Sequence, residues 1–465
     1  MRTFIMQRAG ALAFAAAIAA PVAAQQFPTT PPPIGTPKAF KVPVRRTFTL
    51  SNGMKVSLTP FGIVPKATVR LAIRTGAIDE SANELWISGL MTDLLSEGTA
   101  TRGARELAEE MAGMGGTLGI GAGDDLTNIA ADVLAERAAD LVRVIADVTR
   151  HPKFPDSELP RMKQNRLRNI AIARSQPGTQ ASVRFGEMMF GDHPYGRSFP
   201  TEAQLQGYTI DQVKAFWATN VGAARAHIYV TGVFDAVAVE RAIRESFGDW
   251  AAGPAPTNNP AVMSTKKQVA VIDRPNAVQS TVLVGLPVPA MTSPDYVKLR
   301  VTDAILGGSF GSRITSNIRE KKGYTYSPGS FISTRRGVAF WAENADVTTN
   351  VTGPSLTEIF AEVDRLRTEA PPASELDGIK RNMAGIFVIQ NGSRGGVTGQ
   401  FATMDLQGMS DDYLRTYVDK ILAVTPADVQ KMMQEYLTAE KMSLVVVGDR
   451  KVIDEQLKSI TATVP

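Results

Sequence analysis

The chain contains no cysteine and only three histidines among its 465 residues. Without thiols there are no disulfides, thiolate nucleophiles, iron-sulfur clusters or cysteine-bearing zinc sites. His151, His193 and His227 stand 42 and 34 residues apart, so no two share a helical turn. A histidine-built metal site is therefore not expected here. No apolar run approaches the ~20 residues that cross a bilayer, and no membrane span is expected. A concentrated basic stripe is also missing: Arg161 to Arg168 reads as one solvated helix face, which argues against a nucleic-acid partner. What remains is an ordinary globular composition, 44% apolar and 21% charged. One hydrophobic core rarely grows past roughly 250 to 300 residues, so the length implies two or more domains.

Residues 1–24 have the three parts of a secretion signal. Arg2 and Arg8 form the positive start, Ala9 to Ala20 a short apolar stretch, and Val22-Ala23-Ala24 a small-residue cleavage site. Their removal lowers the formal charge from +4 by two positive charges, to +2. An exported protein is expected, periplasmic if the cell is Gram-negative. The Pro-rich segment over residues 25–44 reads as an extended leader.

An internal comparison carries more information than any single motif. Thr209-Ile210-Asp211-Gln212-Val213-Lys214 leads to Ile228-Tyr229-Val230-Thr231-Gly232, and Thr425-Pro426-Ala427-Asp428-Val429-Gln430 leads to Leu444-Val445-Val446-Val447-Gly448. In each, 23 residues separate the Thr from the closing Gly. Both read as an N-capped helix, a turn and a buried β-branched strand. Upstream, Pro155-Asp156-Ser157-Glu158-Leu159 with Lys163 mirrors Pro372-Ala373-Ser374-Glu375-Leu376 with Lys380. Two matches in one order indicate a duplicated unit of about 215 residues, which suits tandem domains rather than a solenoid. The expected division is 45–250, a linker over 251–260, and 261–465. Strands are expected at Arg46 to Leu58, Ala67 to Thr75, Gln268 to Asp273 and Thr281 to Leu286. Helices are expected at Ala104 to Met114, Leu134 to Thr149 and Ser157 to Ser175. With strands at both ends of each unit, the fold class is α+β: two tandem homologous domains, each a mainly antiparallel sheet with helices packed on one face.

Chemical motifs are few. Gly307-Gly308-Ser309-Phe310-Gly311 fits G-x-S-x-G, but a nucleophile elbow needs a preceding strand and a later histidine. Lys298 to Leu306 reads as a helix and no histidine follows His227, so a turn between helices is expected. Gly113 to Gly123 lacks G-x-G-x-x-G spacing. Asp124-Asp125 and Asp411-Asp412 read as solvated turn acids.

Several of these segments together resemble the pitrilysin and insulinase zinc metallopeptidases. They are the duplicated units, Ser96-Glu97-Gly98-Thr99, His193-Pro194-Tyr195-Gly196, Leu306-Gly307-Gly308 with Ser312-Arg313, and Ile318-Arg319-Glu320-Lys321-Lys322-Gly323. The resemblance spans roughly residues 45 to 455. Catalytic members of that family carry H-x-x-E-H on a helix before the Gly-Thr, two His binding zinc and the Glu acting as base, with a distal Glu completing the ligands. Here the corresponding positions hold Gly89, Thr92 and Asp93, and the distal one falls near Arg168 or Asn169. A lone Asp93 cannot hold zinc in a three-ligand site, so no metal is expected in this chain.

In the second unit the resemblance assigns Arg319 and Tyr326 as donors to the substrate backbone and oxyanion, with Tyr324 a further substrate contact. Taken alone, Arg319 reads as a helix-end charge pairing with an acid, capped by Gly323, and Tyr326 as a core aromatic early in a strand. The resemblance implies a zinc-less subunit of a heterodimer whose homologous partner carries H-x-x-E-H and Zn2+, the two closing on a peptide. A structural or peptide-binding subunit with no part in proteolysis is the alternative. Asn391 to Gly399, rich in glycine, reads as a helix-connecting loop.

Overall fold

The computed structural model describes residues 41–463. The expected signal segment, and the leader up to residue 40, lie outside the described residues. The first half contributes strands β1 (Arg46–Thr49), β2 (Lys55–Pro60), β3 (Lys66–Ile73), β4 (Gly119–Ala122), β5 (Thr127–Leu134) and β6 (Ala226–Gly232). Its helices are α1 (Ile87–Leu95), α2 (Ala104–Gly113), α3 (Ala138–Arg150), α4 (Leu159–Ser175), α5 (Pro177–Phe190), α6 (Glu202–Gly207), α7 (Ile210–Asn220) and α8 (Ala236–Phe247). The second half has β7 (Val269–Asp273), β8 (Gln279–Val288), β9 (Gly329–Arg335), β10 (Val338–Thr348) and β11 (Ser443–Gly448). Its α-helices are α9 (Tyr296–Leu306), α10 (Thr352–Thr368), α11 (Ala373–Gln390), α12 (Arg394–Gln407), α13 (Asp412–Ala423), α14 (Pro426–Tyr436) and α15 (Arg450–Thr463). A π-helix occupies Thr315–Lys321.

The duplication is visible in the pairing of the strands. The sheets run β1-β2-β6-β3-β5-β4 and β7-β11-β8-β10-β9, the same order apart from the added β1. The last strand of each half lies parallel to the first of its common set, β2 with β6 and β7 with β11, and every other pair is antiparallel. Thr209 and Thr425 each cap their helix, accepting from Gln212 N and Asp428 N. The repeated lysines do the same work: Lys163 Nζ donates to Gln206 O, and Lys380 Nζ donates to Leu422 O, each carbonyl three residues before the capping Thr.

Each half keeps its own helices on one sheet face. On α3, Leu141, Val144, Ile145 and Val148 are buried at helical spacing, with Ile228 and Val230 of β6 in the same core. The other face of each sheet is covered by a helix from the opposite half. Phe185 and Met189 of α5 pack against Leu283 of β8 and Val445 and Val447 of β11. In return, Thr398 of α12 donates to Thr231 of β6, and Tyr229 of β6 donates to Asp405 of α12. This exchange buries β6 and β11 on both faces, hence their unbroken runs of buried residues.

Several local expectations are corrected. Arg46 to Leu58 is a two-strand hairpin, turning where Gly53 takes φ +90°. Two further strands per half, β4–β5 and β9–β10, lie between the opening and closing strands, where helices are expected to cluster; β5 runs to Leu134, where the second helix is expected to begin. The glycine-rich Asn391 to Gly399 is a short turn followed by the first turns of α12, with Ser393 capping Gly396 N.

Candidate functional site

The first candidate cluster sits at the start of α1. Glu80 caps this helix: its buried carboxylate accepts from Trp86 N at 2.8 Å, Ser88 N at 3.0 Å and Ser88 Oγ at 2.6 Å. Trp86 takes a left-handed φ of 69°, the turn through which the chain enters the helix. Burial pushes the Glu80 carboxyl above its ordinary range, opposed in part by its hydrogen bonds from Ser88 and Trp86 and, less, by the Arg166 guanidinium.

The degenerate motif positions lie one and two turns further on. Thr92 is buried, and its hydroxyl donates to Gly89 O at 2.9 Å. Asp93 accepts from Arg166 Nε at 2.8 Å. A Cβ at Gly89 would stand 2.7 Å from both terminal nitrogens of the same guanidinium. Arg166, from α4, thus lies across the positions that an H-x-x-E-H helix would aim at a metal, with the ring of Trp86 5.5 Å away. The distal positions do not join in: Arg168 and Asn169 are exposed, and Arg168 bonds Asn165 on its own helix. A fixed cation and a single carboxylate do not fit a zinc ion. Among the described residues no group of three or more His, Asp or Glu is arranged to hold a metal.

The second cluster lies after α9. The G-x-S-x-G segment is a turn, with Ser309 Oγ donating to Ala304 O at 2.7 Å, the bond of a helix-end hydroxyl. The π-helix follows, widened where Asn317 is buried and donates to Glu358 and Glu362 of α10 at 2.9 and 2.7 Å. Gly323, at φ +64°, ends it and reverses the chain.

Arg319 and Tyr326 meet. The guanidinium carbon lies 4.6 Å from the centre of the Phe310 ring and 4.8 Å from that of Tyr326, so the cation is held between two aromatic faces. Glu320 pairs with its Nε at 3.1 Å. The expectation of a core aromatic is wrong: Tyr326 is 77% exposed and Phe310 74%. Nor is Tyr326 in a strand, since β9 begins only at Gly329. The neighbouring Thr325 pins the loop, donating to Asp346 O at 2.6 Å, and Tyr324, half-buried, accepts from Thr348 N through its carbonyl. Among the described residues no hydrogen bond or ion pair joins this cluster to the α1 site.

Sequence reasoning missed Arg166 and Phe310. The pairing of Asp93 with an Arg about two turns into a separate helix has no spacing signal, whereas Phe310 lay inside a pattern read for its serine. The paired acids are also corrected. Asp125 accepts from Tyr195 Oη at 2.6 Å, Asp124 pairs with Arg335 of β9 at 2.6 Å, and Asp411 pairs with Arg45 at 2.7 Å, so these acids tie segments together.

Comparison with known proteins gives concordant matches. A family model described as "Insulinase (Peptidase family M16)" matches residues 63–199, and one described as "Peptidase M16 inactive domain" matches residues 207–383. Together they span more than half of the chain. An uncharacterized zinc protease of Streptomyces coelicolor is 24% identical over 420 residues, covering 88% of this chain and 90% of its own length. Another, from Mycobacterium tuberculosis, is 26% identical over 347 residues, 74% of this chain and 77% of its own length. Among solved structures, a peptidase M16 inactive domain from Pseudomonas fluorescens superposes with a TM-score of 0.80 at 24% identity, covering 87% of this chain and 98% of that one. A protease from Helicobacter pylori gives 0.81 at 20% identity, covering 87% and 99%.

Proposed function

Because the chain belongs to the insulinase family of peptidases (M16), as a member of the zinc-less type, we propose that it is the non-catalytic subunit of an exported heterodimeric metallopeptidase acting on peptides or unfolded polypeptides. In this reading a homologous partner carries the H-x-x-E-H motif with its Zn2+, and this chain supplies groups that the partner's site lacks.

One observation carries the reading. The positions that bind metal in the family are closed by an internal guanidinium, while Arg319, half-buried between the rings of Phe310 and Tyr326, stacks on an exposed Tyr326. A guanidinium and a phenol are hydrogen-bond donors, suited to a peptide carbonyl whose oxygen gains negative charge. Stacking on Phe310 and Tyr326 fixes the guanidinium plane before substrate arrives, so little reorganisation is needed when charge develops. In this reading Tyr324, two residues before Tyr326 on a loop pinned to β10, is a further contact for the substrate chain. The sheets also leave β4 and β9 as outer strands, where an extended peptide can add by backbone pairing.

The decisive experiment purifies the mature chain alone, an H-x-x-E-H homologue from the same genome alone, and the two together, and assays cleavage of a quenched fluorescent peptide. Activity that needs the mixture supports the proposal. A stable complex with no cleavage in any combination favours a structural subunit, and peptide binding without cleavage favours a peptide-binding one. Zinc-dependent cleavage by this chain alone overturns all of these.

A further inference from the structure

The second half contains a cavity of about 390 Å³ between α9, α11 and α13 that the peptidase reading leaves without a role. Its walls have two kinds of surface. Met383, Phe387 and Ile386 of α11 give thioether, ring and branched apolar contacts, while Arg300 of α9 and the phenols of Tyr413 and Tyr417 of α13 bring donors. The Tyr417 ring packs on Phe387 at 4.7 Å and on Tyr413 at 5.5 Å, so the aromatic wall is built and not collapsed.

Arg300 is the feature without a structural explanation. It is largely buried, forms no salt bridge among the described residues, and its Nε is sealed from solvent without a hydrogen-bond partner. A buried guanidinium without an anion is costly and is ordinarily matched by a carboxylate. The nearest acid is already committed, because Asp303 Oδ1 accepts from Ser330 Oγ and Trp341 Nε1 at 2.5 and 2.8 Å. Tyr296, the other neighbour, takes a hydrogen bond from the Arg300 side chain and shares its hydroxyl with Thr334 at 2.8 Å, so Arg300 has a neutral partner but no directly bonded anion. Asp303 lines the same cavity and its charge favours the cation, but no carboxylate oxygen among the described residues comes within salt-bridge distance, so the groups in reach of the guanidinium are phenols, amides and apolar carbon.

We propose that this cavity binds a small carboxylate with an aromatic or branched apolar tail, its carboxylate on Arg300 with help from a tyrosine hydroxyl and its tail against Phe387 and Met383. The volume falls in the range of small-molecule sites and admits either a free organic acid or the C-terminal residues of a peptide, which share this chemistry. Occupancy would pair the buried charge and stiffen α11 against α13, so the ligand stabilises the folded chain by mass action. The site is independent of the heterodimer reading, and either can fail without the other.

Phenylacetate, its neutral isostere phenylacetamide, and the dipeptide Gly-Phe are titrated into the full mature chain by calorimetry, with thermal unfolding in parallel. The expected result is one saturable phenylacetate site per chain and binding of the neutral amide at least tenfold weaker. Tighter binding of Gly-Phe than of phenylacetate assigns the source as peptide termini, and the reverse assigns free acids. In Arg300→Gln, phenylacetate binding should fall at least tenfold. Met383→Trp, which fills the cavity and leaves the charge in place, should abolish binding in a chain that still folds. Absence of saturable binding, equal affinity for the amide, or undiminished binding in Met383→Trp overturns the proposal.

Discussion

At Gly89 and Asp93 the replacement of a metal site can be followed atom by atom. Where catalytic relatives place metal-binding side chains, a guanidinium from α4 lies bonded to Asp93 and seated against a residue with no side chain. The two changes depend on each other. A histidine at 89 would collide with Arg166, and a histidine at 93 would remove its anchor. Installing His at 89 and 93 and Glu at 92 should therefore leave less than one zinc per chain by elemental analysis after dialysis against the metal, because two ligands remain short of three and a cation stands beside them. Arg166→Ala alone should lower stability by about 1–2 kcal/mol in urea unfolding, between the values for exposed and buried pairs. At the other cluster, if the proposed heterodimer is right, Arg319→Ala and Tyr326→Phe each should lower its turnover by ~10²–10³-fold while the two chains still elute as one species, the effect of removing a single oxyanion donor. Full turnover in both would take the pair out of the mechanism. Both residues were singled out by the motif around them, but their direct contact was not legible, nor the exposure of Tyr326, since neither is a property of spacing.

Among the elements, β6 and α12 form the polar side of the exchange between halves. His227 stacks on Tyr229 at 4.0 Å and bonds Ser57 Oγ at 2.9 Å, with Asp405 at 3.4 Å and the Arg45 guanidinium and Lys55 nearby. Burial holds its imidazole down at about 4, with Asp405 pulling the other way and Arg45 and Lys55 lowering it further. The folded protein thus keeps His227 neutral where the unfolded chain, titrating near 6.5, takes up a proton. Stability contributed here is present above about pH 6.5 and lost as pH falls toward 4. Between pH 7 and 4.5 the native protein should lose on the order of 2–3 kcal/mol more than His227→Gln in urea midpoints. The buried acids Glu80, Asp303 and Glu343 are raised and act in the opposite sense, their contribution fading as pH rises. They are common to both proteins and cancel in the comparison. Parallel pH profiles would show that His227 is not desolvated. Periodicity placed α3, α4, α7 and α14 well, because their apolar positions face a single core. It passed over β4, whose four residues Gly-Ile-Gly-Ala carry almost no alternation, and over α12, whose first turns are glycines held helical by Ser393 and by packing on the other half.

For the whole molecule, the exchanged helices make the two sheets one cooperative structure. Neither α5 nor α12 covers its own half, so separating the halves would expose an apolar face on β8 and β11 and a polar network on β3 and β6. Chemical unfolding should therefore show one transition, with the same midpoint from Trp341 fluorescence as from Trp86, Trp217 and Trp250 in suitable Trp→Phe variants. Two separated transitions would mean that the exchange adds little to stability. The amino-acid sequence by itself determined the duplication, the α+β class, the loss of the metal ligands and the place of the Arg319 motif. These depend on residue identity and local periodicity, which are written along the chain. Only the tertiary structure decided which cation fills the degenerate site, which aromatics hold Arg319, that each half caps the other, and that Arg300 is largely buried with no salt bridge among the described residues. Each of those is a contact between segments far apart in sequence, set by how two sheets and their helices pack and not by any local preference.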